Sequence, residues 1–119
     1  MSKAKGQPGP VSRETAEHYR WGSQCDGWHL VKDKNLSVIE EFVPPGAAEV
    51  RHYHQQSQQF FYILAGEVIM EVEGRSTLVP AGSGIRILPG VRHQLSNPSS
   101  GPARFLVISQ PPSYADRIG

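Results

Sequence analysis

The sequence has little of what several protein classes require. Its 119 residues include a single cysteine, Cys25, so no disulfide can form within the chain, which fits a reducing compartment. Neither sign of charge dominates, because 12 Lys and Arg stand against 11 Asp and Glu, and we expect no nucleic-acid partner. The longest apolar run, 60–66, is far shorter than the roughly 18 residues of a membrane span, and the polar N-terminus lacks the apolar core of a signal peptide. We therefore expect a cytoplasmic protein with no membrane partner.

Turn-forming residues are plentiful. The chain has 12 Gly and 10 Pro, a content typical of many short elements joined by tight turns. Between Trp28 and Gln110 no segment keeps a period of 3.6 residues, whereas short segments alternate with a period of two between turn formers. Glu73-Gly74-Arg75 predicts the turn of a hairpin. The pattern predicts an all-β fold of about eight to ten strands, most simply a jelly-roll barrel.

The N-terminal third has a weaker pattern than the rest. Residues 1–11 carry no periodic apolar positions, so we expect a flexible tail. Residues 12–35 read as a short, irregular segment, although a strand-like alternation begins at Trp28. Residues 36–119 are expected to form the barrel.

Two histidines are placed to bind a metal together. His52 and His54 are separated by one residue in a segment of strand character, so the pleat points both imidazoles to the same face. Such a pair alone occurs often by chance, and the surrounding residues decide how it is interpreted.

Two spaced motifs frame these histidines. The first consists of Gly46, His52, His54, Gln59 and Gly66, separated by five, one, four and six residues. The second consists of Gly82, then Leu88-Pro89-Gly90 after five residues, His93 after two more and Asn97 after three more. In order and spacing the two motifs resemble those of the cupin superfamily, over roughly residues 36–110. The segments CDGWHLV (25–31) and SQPPSYADRIG (109–119) look like those of small single-domain bacterial cupins.

The resemblance implies a fold and a metal site. The fold would be a double-stranded β-helix, the cupin jelly-roll barrel, with the N-terminal segment packed on it. His52, His54 and His93 would converge on one divalent metal ion per chain, such as Zn, Fe, Ni or Mn, and position 59 would supply a fourth ligand. A third imidazole from a separate strand completes a three-nitrogen set that such metals favour.

The chain departs from the family pattern at two positions. Leu88 stands where the second motif usually has proline, which changes a turn without moving His93. Gln59 stands where the first motif usually has glutamate, and a neutral amide leaves the full charge of the ion in place. The neighbouring Gln58 is the alternative ligand, and the six-residue gap to Gly66 favours Gln59.

Candidates for substrate contact follow from position along the strands. The pleat places Phe61 on the same side as Gln59, where it would form an apolar wall beside the metal. Tyr53 and Met70 are further candidates. Arg86 could pair with a substrate carboxylate or simply face outward.

Three functions fit this site. The first is non-oxidative chemistry on a small molecule, as in a cyclase, isomerase or lyase, with the ion as Lewis acid. The second is a ferrous dioxygenase, because three imidazoles leave positions open for oxygen and substrate. The third is a non-catalytic cupin that binds a small ligand or a metal. A homodimer is expected in each case, since a small β-barrel has edge strands that a second copy can cover.

Overall fold

The chain folds into strands throughout its described part. The structure, a computed structural model, describes residues 6–114 and 116–119, and no helix occurs within those ranges. The strands are β1 (Glu17–Trp21), β2 (Cys25–Lys32), β3 (Ser37–Val43), β4 (Tyr53–His54), β5 (Gln58–Ala65), β6 (Glu67–Val72), β7 (Arg75–Pro80), β8 (Gly84–Ile87), β9 (His93–Ser96), β10 (Ala103–Gln110) and β11 (Arg117–Ile118). In keeping with this, no helix there is long and apolar enough to cross a membrane.

The strands form antiparallel sheets that enclose one core. The largest sheet has the order β1-β2-β3-β10-β5-β8, a second has the order β7-β6-β9, and β4 pairs with β11. Neighbours such as β3-β10-β5 are distant in sequence, which is the wrapping expected of a double-stranded β-helix. The predicted all-β, jelly-roll architecture is therefore confirmed.

Alternation along the strands builds the core. In β10, Ala103, Phe105 and Val107 are buried while the residues between them are only partly covered. Phe105 meets Phe61 of the neighbouring β5 with ring centroids 6.2 Å apart, and Met70 fills the interior from the second sheet. Period-two patterning thus places one face of each sheet against the other.

The predicted hairpin is confirmed between β6 and β7. Val72 and Arg75 face each other across the two-residue turn formed by Glu73 and Gly74, which have φ angles of 50° and 87°. Positive φ at both turn positions matches the twist of the flanking strands. Glycine at the second position adopts this conformation without strain.

Residues 12–35 are more regular than the sequence suggested. Instead of an irregular extension, they include a hairpin, β1–β2, that extends the six-stranded sheet at its edge. The reason is that β1 is only five residues long and alternates charged outer positions with Tyr19 and Trp21, a pattern too short to register as periodic. Of the predicted tail, residues 6–11 are exposed and residues 1–5 lie outside the described residues, so its flexibility stays a prediction.

Candidate metal centre and its cavity

Three histidines meet inside the barrel. His54 ends β4, His93 begins β9, and His52 joins His93 in an isolated bridge with N···O distances of 3.0 and 2.8 Å between their backbones. All three side chains are buried, and one ligand atom from each lies within 4.8 Å of the others. The three histidines thus lie together, as the cupin resemblance implied, and their binding of a metal ion stays a prediction.

Backbone carbonyls orient two of these rings. Nδ1 of His52 donates to the carbonyl of Val50 at 2.7 Å, and Nδ1 of His93 donates to the carbonyl of Val91 at 2.9 Å. The proton is thereby held on Nδ1, which leaves Nε2 of each ring free to bind a metal. Nε2 of His93 is buried and has no hydrogen-bond partner among the described residues.

Burial keeps the imidazoles neutral. It lowers the pKa of His52 to about 4, and it is also the main cause of the lowered pKa values of His54 and His93. The desolvated cationic form is disfavoured, and at His52 and His54 neighbouring imidazoles disfavour it further. At neutral pH the cluster is therefore in the form that binds metal ions.

Gln59 lines the same cavity as His52 and His54. Its Nε2 donates to Ser109 Oγ at 3.0 Å, and its Oε1 is buried without a partner among the described residues. A buried oxygen with no donor is costly unless something binds it. Three neutral imidazoles and one neutral amide oxygen make a donor set that fits a divalent transition metal.

The pleat distinguishes Gln59 from Gln58. Gln58 faces outward, where its Oε1 accepts hydrogen bonds from Nε and Nη2 of Arg86 at 3.0 and 2.7 Å. The alternative that Gln58 is the ligand therefore has no support in the structure.

The cluster opens into a cavity of about 270 Å³. It is lined by residues from both ends of the chain and from the sheet between them, namely Tyr19, His29, Ile39, Glu41, Glu49, His52, His54, Gln59, Phe61, Val107, Ser109, Ser113, Tyr114 and Arg117. A metal ion at the histidines would therefore be accessible to a small molecule in this space.

A tyrosine and a carboxyl group form one wall of the cavity. The hydroxyl of Tyr19 donates to Glu41 Oε2 at 2.8 Å. Burial raises the pKa of Glu41 to about 7, and the hydrogen bond from Tyr19 and the charge of Arg117 reduce that rise. Burial likewise raises the pKa of Tyr19, so the phenol stays protonated.

A second carboxyl group lines the cavity from the loop before β4. Glu49 Oε2 accepts a hydrogen bond from the backbone N–H of Leu95 at 2.9 Å. Burial raises its pKa to about 8, although this hydrogen bond acts in the opposite direction. Glu41 and Glu49 therefore both exchange protons near neutral pH.

The C-terminal segment covers part of the cavity. The carboxylate of Asp116 accepts hydrogen bonds from the backbone N–H groups of Gln55, Gln56 and Ser57 at 3.0, 2.9 and 2.8 Å. These bonds, together with the β4–β11 pairing, hold Arg117 beside the histidines. The last strand is thus fixed to the loop that follows the metal-binding pair.

Comparison with known proteins identifies the family. Residues 39–109, more than half of the chain, match the family described as Cupin domain. The chain belongs to the cupin family. An uncharacterized protein of Methanocaldococcus jannaschii is 31% identical over 84 residues, covering 71% of this chain and 67% of that protein. The chain spans about half the length of other curated relatives that it matches.

Solved structures share the fold of this cupin at low sequence identity. An RmlC-like cupin from Shewanella frigidimarina has a TM-score of 0.81 at 20% identity, covering 92% of this chain and 96% of that one. The polyketide cyclase RemF from Streptomyces resistomycificus has a TM-score of 0.78 at 20% identity, covering 91% and 82%. At these identities the likeness shows the fold alone.

Of the four residues predicted to contact substrate, one lines the cavity and three do not. Phe61 lines the cavity and packs edge-on against His93 with ring centroids 6.2 Å apart. Tyr53 points away from its histidine neighbours and lies under the guanidinium of Arg92. Met70 is fully buried in the core, and Arg86 binds Gln58 on the outer face. The last three do not line this cavity, because the pleat and the core packing direct them elsewhere. Their contact with a substrate stays a prediction.

Several cavity residues of this cupin were not singled out from sequence. Glu41 could have been found, because it occupies the inward register of β3 with Ile39 and Val43, and an acidic residue on an inward face is a functional signal. Tyr19 and Arg117 gave no such signal, since they reach the cavity only through pairing with distant strands.

Proposed function

We propose that this cupin is a metal-dependent enzyme that performs a non-oxidative cyclisation, isomerisation or lyase reaction on a small molecule. One observation carries the proposal: the open side of the histidine cluster shares a cavity with Glu41 and Glu49, two carboxyl groups that exchange protons near neutral pH. Proton transfer by positioned side chains is what these reactions require.

The metal would be held by His52, His54, His93 and Gln59. The oriented Nε2 atoms and the unpartnered Gln59 oxygen support this assignment. A divalent ion in this neutral ligand set would act as a Lewis acid toward a substrate oxygen without changing oxidation state.

The chain's own residues would move the protons. Glu41 Oε2 is occupied by Tyr19, so Oε1 is the oxygen available to take a proton from substrate or return one. Tyr19 orients this carboxyl group and stays protonated while it does so. Glu49, whose pKa burial raises to about 8, is suited to donating a proton from another side of the cavity. A reaction that proceeds by proton transfer between these groups and the substrate requires no change in the oxidation state of the metal.

Cupin neighbours include a polyketide cyclase, a predicted oxalate decarboxylase and a sugar phosphate isomerase, so non-oxidative chemistry is well represented among proteins of this fold. The dioxygenase alternative needs only the three histidines and gives Glu41 and Glu49 no part. The ligand-binding alternative leaves their proton exchange without a purpose.

The test is turnover without oxygen. Zinc-loaded and nickel-loaded protein in nitrogen-purged buffer is incubated with hydroxy acids, oxo acids and sugar acids, and conversion is followed by proton NMR. We expect conversion of at least one compound, and a rate at least about 100-fold lower in Glu41→Gln, the usual size of a general-base contribution. Glu67→Gln, on the exposed start of β6, is the matched control.

Two outcomes would contradict the proposal. Conversion that requires iron and oxygen would identify a dioxygenase. Binding of the same compounds without conversion under any of these conditions would identify a ligand-binding cupin.

A further inference from the structure

We infer that Arg117 forms an anion subsite beside the metal centre, and that the substrate is accordingly a small hydroxylated or oxo carboxylate. This inference rests on the proposed function for the metal, while the guanidinium subsite itself is a property of the chain.

Strand pairing sets the position of Arg117. In the β4–β11 pair it lies directly opposite His54, and residues opposite each other in an antiparallel pair project to the same face. Its Nη2 donates to the carbonyl of Val50 at 3.3 Å, and the same carbonyl accepts the 2.7 Å bond from His52 Nδ1. The guanidinium of Arg117 and the ring of His52 therefore donate hydrogen bonds to the same carbonyl oxygen.

The guanidinium has unused donors. It carries five N–H groups, and within residues 6–114 and 116–119 its one hydrogen bond is the long contact with Val50. No carboxylate in those ranges lies within 4.0 Å of it, whereas Arg51 pairs with Glu71 and Arg104 with Glu40. A planar fork of free donors beside a cavity is suited to a carboxylate.

The charge of the cavity favours an anion. Four neutral ligands would offset none of the charge of a divalent ion, and Arg117 is the one arginine or lysine among the lining residues. Glu49 is mostly protonated near neutral pH and Glu41 is about half ionised, so the two carboxyl groups offset only part of this positive charge. A carboxylate that contacts both the metal ion and Arg117 would be stabilised by both positive charges.

Size and polarity limit the rest of the ligand. The volume of about 270 Å³ lies just below the ~300–1,000 Å³ range typical of sites for drug-sized ligands. Fourteen residues line the cavity, and only three of them have side chains without a polar atom, namely Ile39, Phe61 and Val107. A small molecule with several oxygen atoms fits this lining, and a fused polycyclic one does not.

Asp116 holds the subsite in place. Its three hydrogen bonds to the backbone of 55–57 fix the start of β11, so the position of Arg117 is set before a ligand binds. Less ordering is then needed on binding, which favours affinity.

The test compares D-glycerate with glycerol, its neutral counterpart, by calorimetry on zinc-loaded protein. We expect D-glycerate to bind and glycerol not to bind measurably. Arg117→Gln is expected to raise the Kd of D-glycerate by about 10- to 100-fold, the range for a lost hydrogen bond to a charged group. Arg86→Gln, which removes an outward guanidinium, is expected to change it less than twofold.

Arg117→Lys keeps the positive charge without the planar fork, and we expect an intermediate Kd. This variant also decides the question if Arg117→Gln does not fold. Zinc content and melting temperature of each variant show whether the site is intact.

The inference would be overturned if zinc-loaded wild type binds no D-glycerate, or if intact Arg117→Gln and Arg117→Lys both bind it as tightly as wild type. Repeating the titration on metal-free protein separates the two proposals. Weak D-glycerate binding that still depends on Arg117 supports the subsite even if the protein binds no metal, in which case only the proposed function fails.

Discussion

The hydroxyl of Tyr19 reaches Glu41 Oε2, 2.8 Å away, across a glycine. Tyr19 pairs with Gly27 in the β1–β2 ladder, and Gly27 pairs with Glu41 in the β2–β3 ladder, so the three residues lie in one row across three strands. The phenol ring fills the space above Gly27 where a side chain would stand. The N-terminal hairpin, which precedes the matched cupin domain, thereby contributes to the cavity.

Gly27→Ala should break this contact. A Cβ at this position would overlap the ring of Tyr19, and the ring would have to move away from Glu41. We expect a loss of ~1–3 kcal/mol in the free energy of unfolding, the usual cost of overpacking, measured by urea denaturation. Tyr19→Phe, which keeps the ring and removes the hydroxyl, should lose less. Equal stability of Gly27→Ala and wild type would show that the ring does not occupy this space.

Gln59→Glu should change the metal site and Gln58→Glu should not. A carboxylate adds one negative charge to the ligand set, so we expect about tenfold tighter zinc binding in a competition titration with a chromogenic chelator. It also reduces the positive charge of the loaded cavity, so D-glycerate should bind more weakly. Gln58 faces outward against Arg86 and is the neighbouring control. Unchanged zinc affinity in Gln59→Glu would exclude position 59 from the ligand set.

Glu49 should make the metal-free protein less stable at high pH. Burial raises its pKa in the folded chain from 4.5 to about 8. A carboxyl group with a raised folded-state pKa favours folding while protonated, so its contribution is complete below about pH 4.5 and is lost as the pH rises through 8. In chelator-treated protein, Glu49→Gln should melt close to wild type at pH 5 and above it at pH 9, by about 5 °C or more.

The control for this pH effect is Glu67→Gln, at an exposed position. Its melting temperature should follow that of wild type at both pH values. A Glu49→Gln curve parallel to wild type over the whole range would show that Glu49 titrates normally.

Dimer formation stays a prediction, and the outer face of β5 is where it can be tested. Phe60, Tyr62 and Leu64 point outward in succession from this strand and are each more than a third exposed. A second copy packed on this face would cover them, as is usual for contiguous apolar surface. Tyr62→Lys should lower the mass measured by light scattering to that of a monomer, and Leu78→Lys, on the other sheet, should not. A monomeric wild type would remove the prediction.

The strand pleat and the motif spacing predicted the candidate metal ligands. Pairing between distant strands placed other cavity residues, which the sequence did not indicate. His52 and His54 are one residue apart on a strand, so the pleat assigned both to one face. His93 and the choice of Gln59 over Gln58 came from the spacing of the two cupin motifs. Arg86 alternates with Ile85 and Ile87, and the pleat places it outside. Tyr19 and Arg117 reach the cavity through the registers β1–β2–β3 and β4–β11, which link residues about 20 and 60 positions apart and leave no local trace.

The cytoplasmic location expected from composition also stays a prediction.

Metal analysis tests the central claim most directly. Protein purified without added metal or chelator is measured by mass spectrometry for ion identity and atoms per chain, in wild type, His52→Ala and His18→Ala. His18 is a half-exposed histidine whose Nε2 lies 2.8 Å from Asp26 Oδ1, so it controls for metal bound at surface imidazoles. We predict about one divalent ion per chain in wild type and His18→Ala, and less than a tenth of that in His52→Ala. No metal in wild type, even after reconstitution with zinc, nickel, manganese or ferrous iron, would contradict the account.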